Sequence, residues 1–407
     1  MDFDYGIIGG GPAGYTLAMM LAKGASVVLF EKDKIGGTCL NKGCIPTKSM
    51  LHSSELYKEA LNMSSIGLDI EVKNFDFSKV IEKRDNTIER IRKSLELAVK
   101  NSNVNIIYQE ASIKDKNTIV TPENVYSVNK IIIATGSKPR ELKGLEFDGE
   151  FILNSDDILK LTTLPKTVLI VGSGAIGIEW ARIFSNFGVD VHIVELAEHL
   201  IPIADVEVSK RIERIFKQNK IKYYLQDCIQ SIDNTAVTLK SGLTLSPDFV
   251  LVAVGRVPVK HNISDITVIG DASNEIQLAH YAIQQAKRIA LDVKCDRKLV
   301  PSVIYGEPEI AWVGAREQDC EENCKKITLP ISALGKSWCD EATDGFIKII
   351  EKNNQIIGAH IVSKEASALI HQVLIAMQNG INVDRLKEIC FAHPTYSEGI
   401  FESIMRL

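Results

Sequence analysis

The fold is decided by Gly9-Gly10-Gly11-Pro12-Ala13-Gly14, six residues that follow a short apolar segment and open an amphipathic helix. In this G-x-G-x-x-G pattern Gly9 permits a tight turn, Gly11 leaves room for a pyrophosphate, and Gly14 allows the helix to pack on the strand. The helix N-terminus then presents free N–H groups and the positive end of its dipole to phosphate oxygens. Glu31 ends the next strand, where its carboxylate can accept hydrogen bonds from ribose hydroxyls. The stretch from 5 to 31 therefore predicts a dinucleotide-binding unit.

A second unit with the same arrangement runs from residue 168 to residue 195. Its turn reads Gly172-Ser173-Gly174-Ala175-Ile176-Gly177, and Glu195 ends its second strand. An acid at this position favours NAD, because a carboxylate repels the 2′-phosphate of NADP. The nearest basic candidate that follows is His199. Two such units in one chain indicate two nucleotide cofactors.

Length and composition indicate a globular protein of two or three domains. The chain has 407 residues, of which 45% are hydrophobic and 24% are charged. A net charge of −5 without a basic run gives no indication of nucleic-acid binding. No apolar run is long enough to span a bilayer, and the N-terminus lacks the pattern of a secretion signal, so a cytoplasmic location is expected. In that compartment eight cysteines are not a disulfide framework, and a close pair is more often catalytic or metal-binding.

A close pair of cysteines follows the first unit in the stretch Gly36-Gly37-Thr38-Cys39-Leu40-Asn41-Lys42-Gly43-Cys44-Ile45-Pro46-Thr47-Lys48. Two thiols separated by four residues near the start of a helix can close a small ring. The helix dipole and Lys48 would favour a thiolate, and such an accessible pair is redox-labile. Two alternatives are a buried, inert pair and a zinc site, although the segment lacks two further ligands at suitable spacing. The glycine-rich frame favours redox chemistry.

The dithiol stretch resembles the redox-active motif of the class I pyridine nucleotide–disulfide oxidoreductases, and it is most similar to that of the dihydrolipoyl dehydrogenases. Three further motifs extend the resemblance over nearly the whole chain: Ala134-Thr135-Gly136, Thr267-Val268-Ile269-Gly270-Asp271 and Ala392-His393-Pro394-Thr395-Tyr396-Ser397-Glu398. They resemble the exit of the FAD domain, the second FAD motif and the C-terminal catalytic motif. The resemblance implies FAD and NAD as cofactors.

On the dithiol side, the resemblance assigns catalytic roles to four residues. Cys39 is implied to be the interchange thiol that meets the substrate, and Cys44 the inner thiol that contacts the flavin. Lys48 is implied to pair with Glu179, on the second glycine-rich helix, near flavin N5. Without the family, both charged residues would be interpreted as solvated surface groups.

On the C-terminal side, the resemblance implies that His393 is the general acid–base and that Glu398 orients its ring. Histidine suits the role because it titrates near neutral pH. In the family this motif reaches the dithiol of the other subunit, so a homodimer is implied. The expected reaction is the oxidation of dihydrolipoamide by NAD+, and the expected partner is the lipoyl-carrier protein of a 2-oxoacid dehydrogenase or glycine-cleavage complex.

The predicted cofactor-binding residues come from these motifs and from positions that the family places beside them. They are Gly9, Gly11, Pro12, Ala13, Gly14, Glu31, Lys32, Gly37, Thr38, Cys39, Lys48, Ala111, Thr135, Gly136, Asp271, Ala279, Gly172, Gly174, Ile176, Gly177, Glu195 and Gly255. No metal site is predicted.

The predicted fold class is α/β, with two Rossmann-like dinucleotide-binding domains, for FAD and NAD, and a C-terminal α+β dimerisation domain. The expected bounds are 1–140 for the FAD-binding domain with the dithiol, 141–262 for the NAD-binding domain, 263–298 for a trimmed segment that completes the FAD domain, and 299–407 for the dimerisation domain. Local patterns predict helices at 77–99 and 366–379, strands at 130–134, 249–254 and 266–271, and paired strands at 346–350 and 356–361.

The chain departs from the dihydrolipoyl dehydrogenase pattern in two places. Phe391 stands where those enzymes usually carry the first histidine of His-Ala-His-Pro, and the chain is shortened between Pro258 and Ile266. Two alternative functions therefore stay open: an NADH-dependent reductase of another small disulfide, and a weakly catalytic flavoprotein subunit that binds a lipoyl carrier. The six remaining cysteines are interpreted as surface or packing residues, including Cys320 and Cys324, which share a helix spacing.

Overall fold

The computed structural model describes residues 1–261, 265–320 and 323–407. Its N-terminal domain is a layered α/β domain. Its elements are β1 (Phe3–Ile8), α1 (Pro12–Leu21), β2 (Val27–Phe30), α2 (Gly37–Lys42), α3 (Cys44–Leu61), α4 (Phe77–Asn101), β3 (Val104–Ile107), β4 (Ser112–Asp115), β5 (Thr118–Val120), β6 (Val125–Ile133) and β7 (Ser137–Pro139). The sheet order is β3-β2-β1-β6-β5-β4, and β3, β2, β1 and β6 run parallel. All four residues of β2 are buried, as a central parallel strand requires.

The second domain repeats this arrangement around a parallel sheet of five strands. Its elements are β8 (Ile152–Leu153), β9 (Thr167–Val171), α5 (Ala175–Asn186), β10 (Asp190–Glu195), α6 (Val206–Gln218), β11 (Lys222–Leu225), β12 (Ile229–Asp233), β13 (Ala236–Leu239), β14 (Thr244–Leu245), β15 (Phe249–Val252) and β16 (Arg256–Pro258). The order is β11-β10-β9-β15-β8, with β12, β13 and β14 in a separate antiparallel sheet. The predicted strand at 249–254 is therefore confirmed as a buried strand two residues shorter.

The chain then returns to the first sheet through β17 (Thr267–Val268) and α7 (Ala279–Leu291). β17 pairs in parallel with β6 and so extends the first sheet, whereas β16 of the second domain pairs with β7 of the first and ties the two domains together. The strand predicted at 266–271 is shorter than expected, because Gly270 adopts φ +67° and begins a 3-10 turn that runs to Ser273. The predicted boundary at 262/263 lies outside the described residues.

The C-terminal domain is a five-stranded antiparallel sheet with helices packed against it. Its elements are β18 (Ser302–Ile304), β19 (Glu309–Gly314), β20 (Lys325–Pro330), α8 (Gly335–Cys339), β21 (Phe346–Lys352), β22 (Gln355–Ser363), α9 (Ala366–Gln378), α10 (Val383–Lys387) and α11 (Glu398–Met405). The order is β18-β19-β22-β21-β20. The predicted pairing of the strands at 346–350 and 356–361 and the predicted helix at 366–379 are confirmed. The helix spacing of Cys320 and Cys324 spans residues 321–322, outside the described residues.

The longest helix is α4, with 25 residues, which confirms the helix predicted at 77–99. Asp76 caps it by accepting a hydrogen bond from Ser78 N, and charged residues cover its exposed face. Among the helices of the described ranges, none combines the length and the apolar character needed to span a bilayer.

One hydrophobic cluster joins all three domains and fixes how they meet. It contains Met50 and Leu51 from α3, Phe184 from α5, and Phe346 and Val362 from the C-terminal sheet, all at most 4% exposed. Because protein interiors are close-packed, these contacts hold α3 firmly against α5. The helix that begins at the second cysteine is thus positioned by the second and third domains.

Candidate active site

The first glycine turn requires glycine at two positions for steric reasons. Gly9 has φ +109°, and a Cβ there would lie 2.3 Å from the carbonyl oxygen of Ala134. A Cβ on Gly14 would lie 1.8 Å from the carbonyl oxygen of Gly9, so the helix could not pack on the turn. The nearest neighbour of a Cβ on Gly11 would be Gly37 Cα at 3.8 Å, which leaves an open surface at the start of α1. This is the geometry that a pyrophosphate needs.

The second turn repeats these constraints at the start of α5. Gly172 has φ +96°, and a Cβ on Gly177 would lie 2.1 Å from the carbonyl oxygen of Gly172. A Cβ on Gly174 would meet nothing within 4 Å, so the backbone there is open to a ligand. The two turns therefore share both their tight contacts and their exposed central glycine.

Each strand-end carboxylate is oriented by the glycine turn of its own unit. Glu31 is buried and accepts a hydrogen bond from Gly10 N at 2.8 Å. Glu195 accepts hydrogen bonds from Ser173 N at 2.8 Å and Ser173 Oγ at 2.7 Å. Sequence reasoning missed the contact with Ser173. The position of this serine between the first two glycines of the turn could have suggested it. Each carboxylate oxygen has two lone pairs, so both acids can still accept from a ribose.

Asp271 lies at the junction of the first two domains, in a hydrogen-bonded group that the sequence did not reveal. Ser137 Oγ donates to Asp271 Oδ2 at 2.6 Å, and Arg256 donates to both the hydroxyl and the carbonyl of Ser137 at 2.8 Å. Thr135 Oγ1 lies 2.7 Å from His261 Nε2. Two of the predicted cofactor residues, Thr135 and Asp271, thus have side chains held by partners within the chain.

Several other predicted cofactor residues lie beside these groups with fewer contacts of their own. Gly136 and Gly255 have positive φ angles of +76° and +95°, and a Cβ on either would meet nothing within 4 Å. Lys32 is 70% exposed and pairs with Glu110 at 3.6 Å. The remaining positions are at helix starts or half-buried: Pro12, Ala13, Thr38, Ala111, Ile176 and Ala279.

The two cysteines of the dithiol face each other across the α2–α3 junction as free thiols. The thiol of Cys39 donates a hydrogen bond to Cys44, which raises the pKa of Cys39. The same hydrogen bond, helped by the positive charge of Lys48, lowers the pKa of Cys44 to about 7. Cys44 is also the first residue of α3, where the helix dipole favours a thiolate. The site therefore makes the inner thiol the more acidic of the two.

Lys48 lies one helical turn after Cys44 and forms an ion pair with the second domain. Its Nζ is 2.7 Å from Glu179 Oε1 and 2.8 Å from Glu179 Oε2, and the glutamate is 4% exposed. Tyr305, at the entry to the third domain, donates its N–H to Glu179 Oε1 at 3.1 Å. The Lys48 ammonium also lies 4.5 Å from the centre of the Tyr305 ring. Sequence reasoning missed this tyrosine.

His393 and Glu398 are brought together at the start of α11. His393 Nδ1 is 2.8 Å from Glu398 Oε1, and Thr395 N donates to Glu398 Oε2 at 2.8 Å. These two contacts lower the pKa of Glu398, the backbone contact most strongly. The histidine side chain is 78% exposed, and within the described ranges Glu398 is the hydrogen-bond partner of its ring. The structure thus pairs the two residues but does not join them to the dithiol of the same chain.

Known protein families match two stretches that together cover most of the chain. Residues 3–263 match the family described as pyridine nucleotide-disulphide oxidoreductase, and residues 300–404 match its dimerisation domain. The chain belongs to the pyridine nucleotide-disulphide oxidoreductase family. The predicted family, the predicted α/β fold class and the prediction of an FAD/NAD disulfide oxidoreductase enzyme are confirmed.

The relatives of this oxidoreductase extend over its full length. The dihydrolipoyl dehydrogenase of Bacillus subtilis (strain 168) is 32% identical over 445 positions, which cover 98% of this chain and 97% of the relative. Because 445 positions exceed the 407 residues here, the relative contains segments that this chain lacks. LpdA from Mycobacterium tuberculosis has the same fold, with a TM-score of 0.91 at 23% identity over 99% of both chains. A Cu(II) complex of the HOCl-induced flavoprotein disulfide reductase RclA from Escherichia coli has a TM-score of 0.86 at 25% identity over 100% of both chains.

Proposed function

We propose that this oxidoreductase oxidises protein-bound dihydrolipoamide to lipoamide and reduces NAD+, through a Cys39–Cys44 disulfide and FAD. The observation that carries the proposal is the asymmetric thiol pair at the start of α3, in which the hydrogen bond from Cys39 and the charge of Lys48 lower the pKa of Cys44. A dithiol exchanges with a disulfide when an outer sulfur can be attacked and an inner thiolate can leave. The full-length similarity to a dihydrolipoyl dehydrogenase supports the substrate class.

The residues present fit two dinucleotides. Gly11 and Gly174 leave open backbone at the starts of α1 and α5, and a side chain at either would occupy the place of a phosphate. Asp271 and Glu31 would hold FAD, and Glu195 would hold the ribose of NAD. When bound, FAD would supply the redox chemistry that passes an electron pair from the dithiol to the nicotinamide.

The thiol steps need only residues of this chain and its substrate. His393 takes a proton from one thiol of dihydrolipoamide, and the resulting thiolate attacks Cys39 Sγ of the disulfide. The S–S bond breaks, and Cys44 leaves as a thiolate that Lys48 stabilises. The second substrate sulfur then attacks the substrate sulfur of the mixed disulfide and gives its proton to the departing Cys39, which is released as a thiol. The products are lipoamide and a reduced Cys39–Cys44 pair, so the electrons balance.

A homodimer would bring the base to the dithiol. His393 projects from the chain with its ring mostly exposed, and its Nε2 can accept a proton while Nδ1 faces Glu398. The C-terminal match to a dimerisation domain supports a two-fold pair in which each chain completes the other's site. A lipoyl carrier would approach the cleft between the two chains.

Steady-state assays test the substrate class. We expect turnover of dihydrolipoamide with NAD+, and none in a Cys39→Ser variant that still binds FAD, because the attacked sulfur is gone. Cys339→Ser, the same change at an exposed cysteine outside the predicted site, is the matched control and should retain activity. A native enzyme that binds a lipoyl carrier but does not oxidise dihydrolipoamide would support the weakly catalytic subunit instead.

The second candidate, an NADH-dependent reductase of another small disulfide, is favoured by one observation. Phe391 packs against Phe401, with ring centroids 5.5 Å apart, two residues before His393. Phenylalanine at position 391 makes the surroundings of the proposed base more apolar than a histidine at the same position would. Faster reduction of a small disulfide by NADH than oxidation of dihydrolipoamide by NAD+ would favour this candidate.

A further inference from the structure

Arg182 is a buried arginine at the point where the three domains meet. It lies on α5, one turn after Glu179, and is 5% exposed. Its Nη1 donates to the carbonyl oxygen of Tyr305 at 2.9 Å, and its guanidinium carbon lies 6.0 Å from the centre of the Phe216 ring. Among the described residues, its Nε and Nη2 have no hydrogen-bond partner. A buried guanidinium with so few partners is unfavourable, and an apolar side chain could fill the space at less cost.

Tyr305 connects this arginine to the ion pair beside the dithiol. Its carbonyl accepts from Arg182, its N–H donates to Glu179, and its ring faces the Lys48 ammonium. Both main-chain polar atoms of Tyr305 are thus held by charged side chains. If the carbonyl were released, the N–H and the ring would be free to move relative to the Glu179–Lys48 pair.

Gly306 shows that the chain makes room for the arginine. It has φ +129°, and a Cβ at this position would lie 2.4 Å from Arg182 Nη1. The guanidinium occupies the volume that any other residue would need for its side chain. Arg182 and Gly306 are therefore a matched pair in this sequence.

The charge of Arg182 is retained at neutral pH. Burial lowers its pKa to about 10, and the carboxylates of Glu179, Glu55, Glu307 and Glu309 oppose that effect. Burial and the nearby Glu307 raise the pKa of Glu55 to about 7. The positive charge of Arg182 therefore has acidic groups on two sides. One is the cluster of glutamates from α3 and the third domain, and the other is Glu179, which binds Lys48.

We propose that Arg182 is a positioning residue of the redox site, which holds the Tyr305 main chain so that the Glu179–Lys48 pair faces the Cys44 thiolate. The proposal rests on the proposed function, because it assumes that the Cys44 thiolate contacts the flavin. The rival explanation is that Arg182 only neutralises the acidic cluster and contributes stability. The two differ in the spectrum of the reduced enzyme, which a purely structural residue would not change.

Four variants of the flavin-loaded dimer separate the explanations. Arg182→Met removes both charge and hydrogen bond, and Gly306→Ala places a methyl group against the guanidinium. The double variant relieves that clash but does not restore the hydrogen bond. Arg182→Lys keeps the charge and can still reach the Tyr305 carbonyl. Arg211→Ala is the control, since Arg211 also joins the second and third domains, through Asp344 at 2.9 Å, away from the dithiol.

The readouts are the long-wavelength thiolate–flavin absorbance after anaerobic two-electron reduction, the Tm, and kcat and KM for NAD. We expect Arg182→Met and Gly306→Ala to lose most of the band and about tenfold in kcat, with KM little changed, because small displacements of reacting groups reduce rates by such factors. The double variant should recover only the part of the Tm that the clash removes, because alanine at φ +129° stays strained, and it should not recover the band. Arg182→Lys should keep most of the band, and Arg211→Ala should keep all of it.

A normal band in Arg182→Met, whatever its Tm, would overturn the positioning role and leave only a structural one. A band that Arg182→Lys loses as fully as Arg182→Met would also contradict it, because the charge and the carbonyl contact would then be insufficient. A wild-type enzyme without the band would instead contradict the proposed function on which the inference rests.

Discussion

Replacing Lys48 with methionine should raise the pKa of Cys44, and replacing Glu179 with glutamine should lower it. Lys48 favours the Cys44 thiolate and Glu179 opposes it, so the two variants must act in opposite directions. Glutamine keeps the shape of glutamate and an oxygen that can accept from Tyr305 N. The comparison therefore changes charge while keeping most of the packing.

The size of the effect follows from the helix geometry. Side chains one turn apart on a helix are about 5–6 Å apart, and at an effective dielectric constant near 20 two unit charges at that distance interact by about 3 kcal/mol, or about two pKa units. The Lys48 side chain is 31% exposed, so solvent should reduce this to about one unit. A rise of about one unit in the pKa of Cys44 increases the ratio of thiol to thiolate about tenfold at any given pH.

The measurement is a pH titration of the thiolate–flavin absorbance in a Cys39→Ser background, where only one dithiol sulfur titrates and the serine hydroxyl can still donate to Cys44. We expect a higher midpoint for Lys48→Met and a lower one for Glu179→Gln. Lys42→Met, at the end of α2 between the two cysteines, is a control for charge alone and should move the midpoint less, since Lys42 is half exposed. Midpoints that move in the same direction in both test variants would refute the electrostatic reasoning.

Three further predictions concern the cofactors and the subunit boundary. Gly14→Ala should prevent FAD retention, because its methyl carbon would lie 1.8 Å from the Gly9 carbonyl oxygen; a folded variant purified with a full complement of flavin would contradict this. The native enzyme should have a higher kcat/KM with NAD than with NADP, because Glu195 repels the 2′-phosphate, and the reverse preference would count against that strand end as the determinant. Mixed dimers of His393→Ala and Cys44→Ser should regain activity, since one of their two sites carries neither change; verified heterodimers that stay inactive would show that each chain builds its own site.

The glycine turns could be predicted from the sequence because their requirements are local. The tight contacts of Gly14 with Gly9 and of Gly177 with Gly172 arise within six residues, so spacing alone specifies them. Strand Thr267–Val268 was predicted too long, because the pattern of apolar residues continues through Ile269 while the backbone turns at Gly270. Local patterns therefore predicted which elements exist better than where they end.

The ion pair beside the dithiol could not be predicted from the spacing of residues in the sequence. Lys48 and Glu179 are 131 positions apart and meet because α3 packs on α5, so their pairing was expected only by resemblance to a family. Tyr305 and Arg182 carried no signal in the sequence, since an aromatic residue near a strand end and an arginine in an amphipathic helix are ordinary. Their meaning appears only when the third domain brings the Tyr305 peptide against α5.

The position of the third domain therefore affects the chemistry of the first. Lys48 favours the Cys44 thiolate, Glu179 holds Lys48, and Glu179 accepts a hydrogen bond from the N–H of Tyr305, the residue that follows β18. The third domain also carries His393, the proposed base, so one domain would provide the base and support the inner thiol. If the third domain rotated, the base and the ion pair would shift together. We infer that the hydrophobic cluster joining α3, α5 and the C-terminal sheet matters to the redox site as much as any single contact within it.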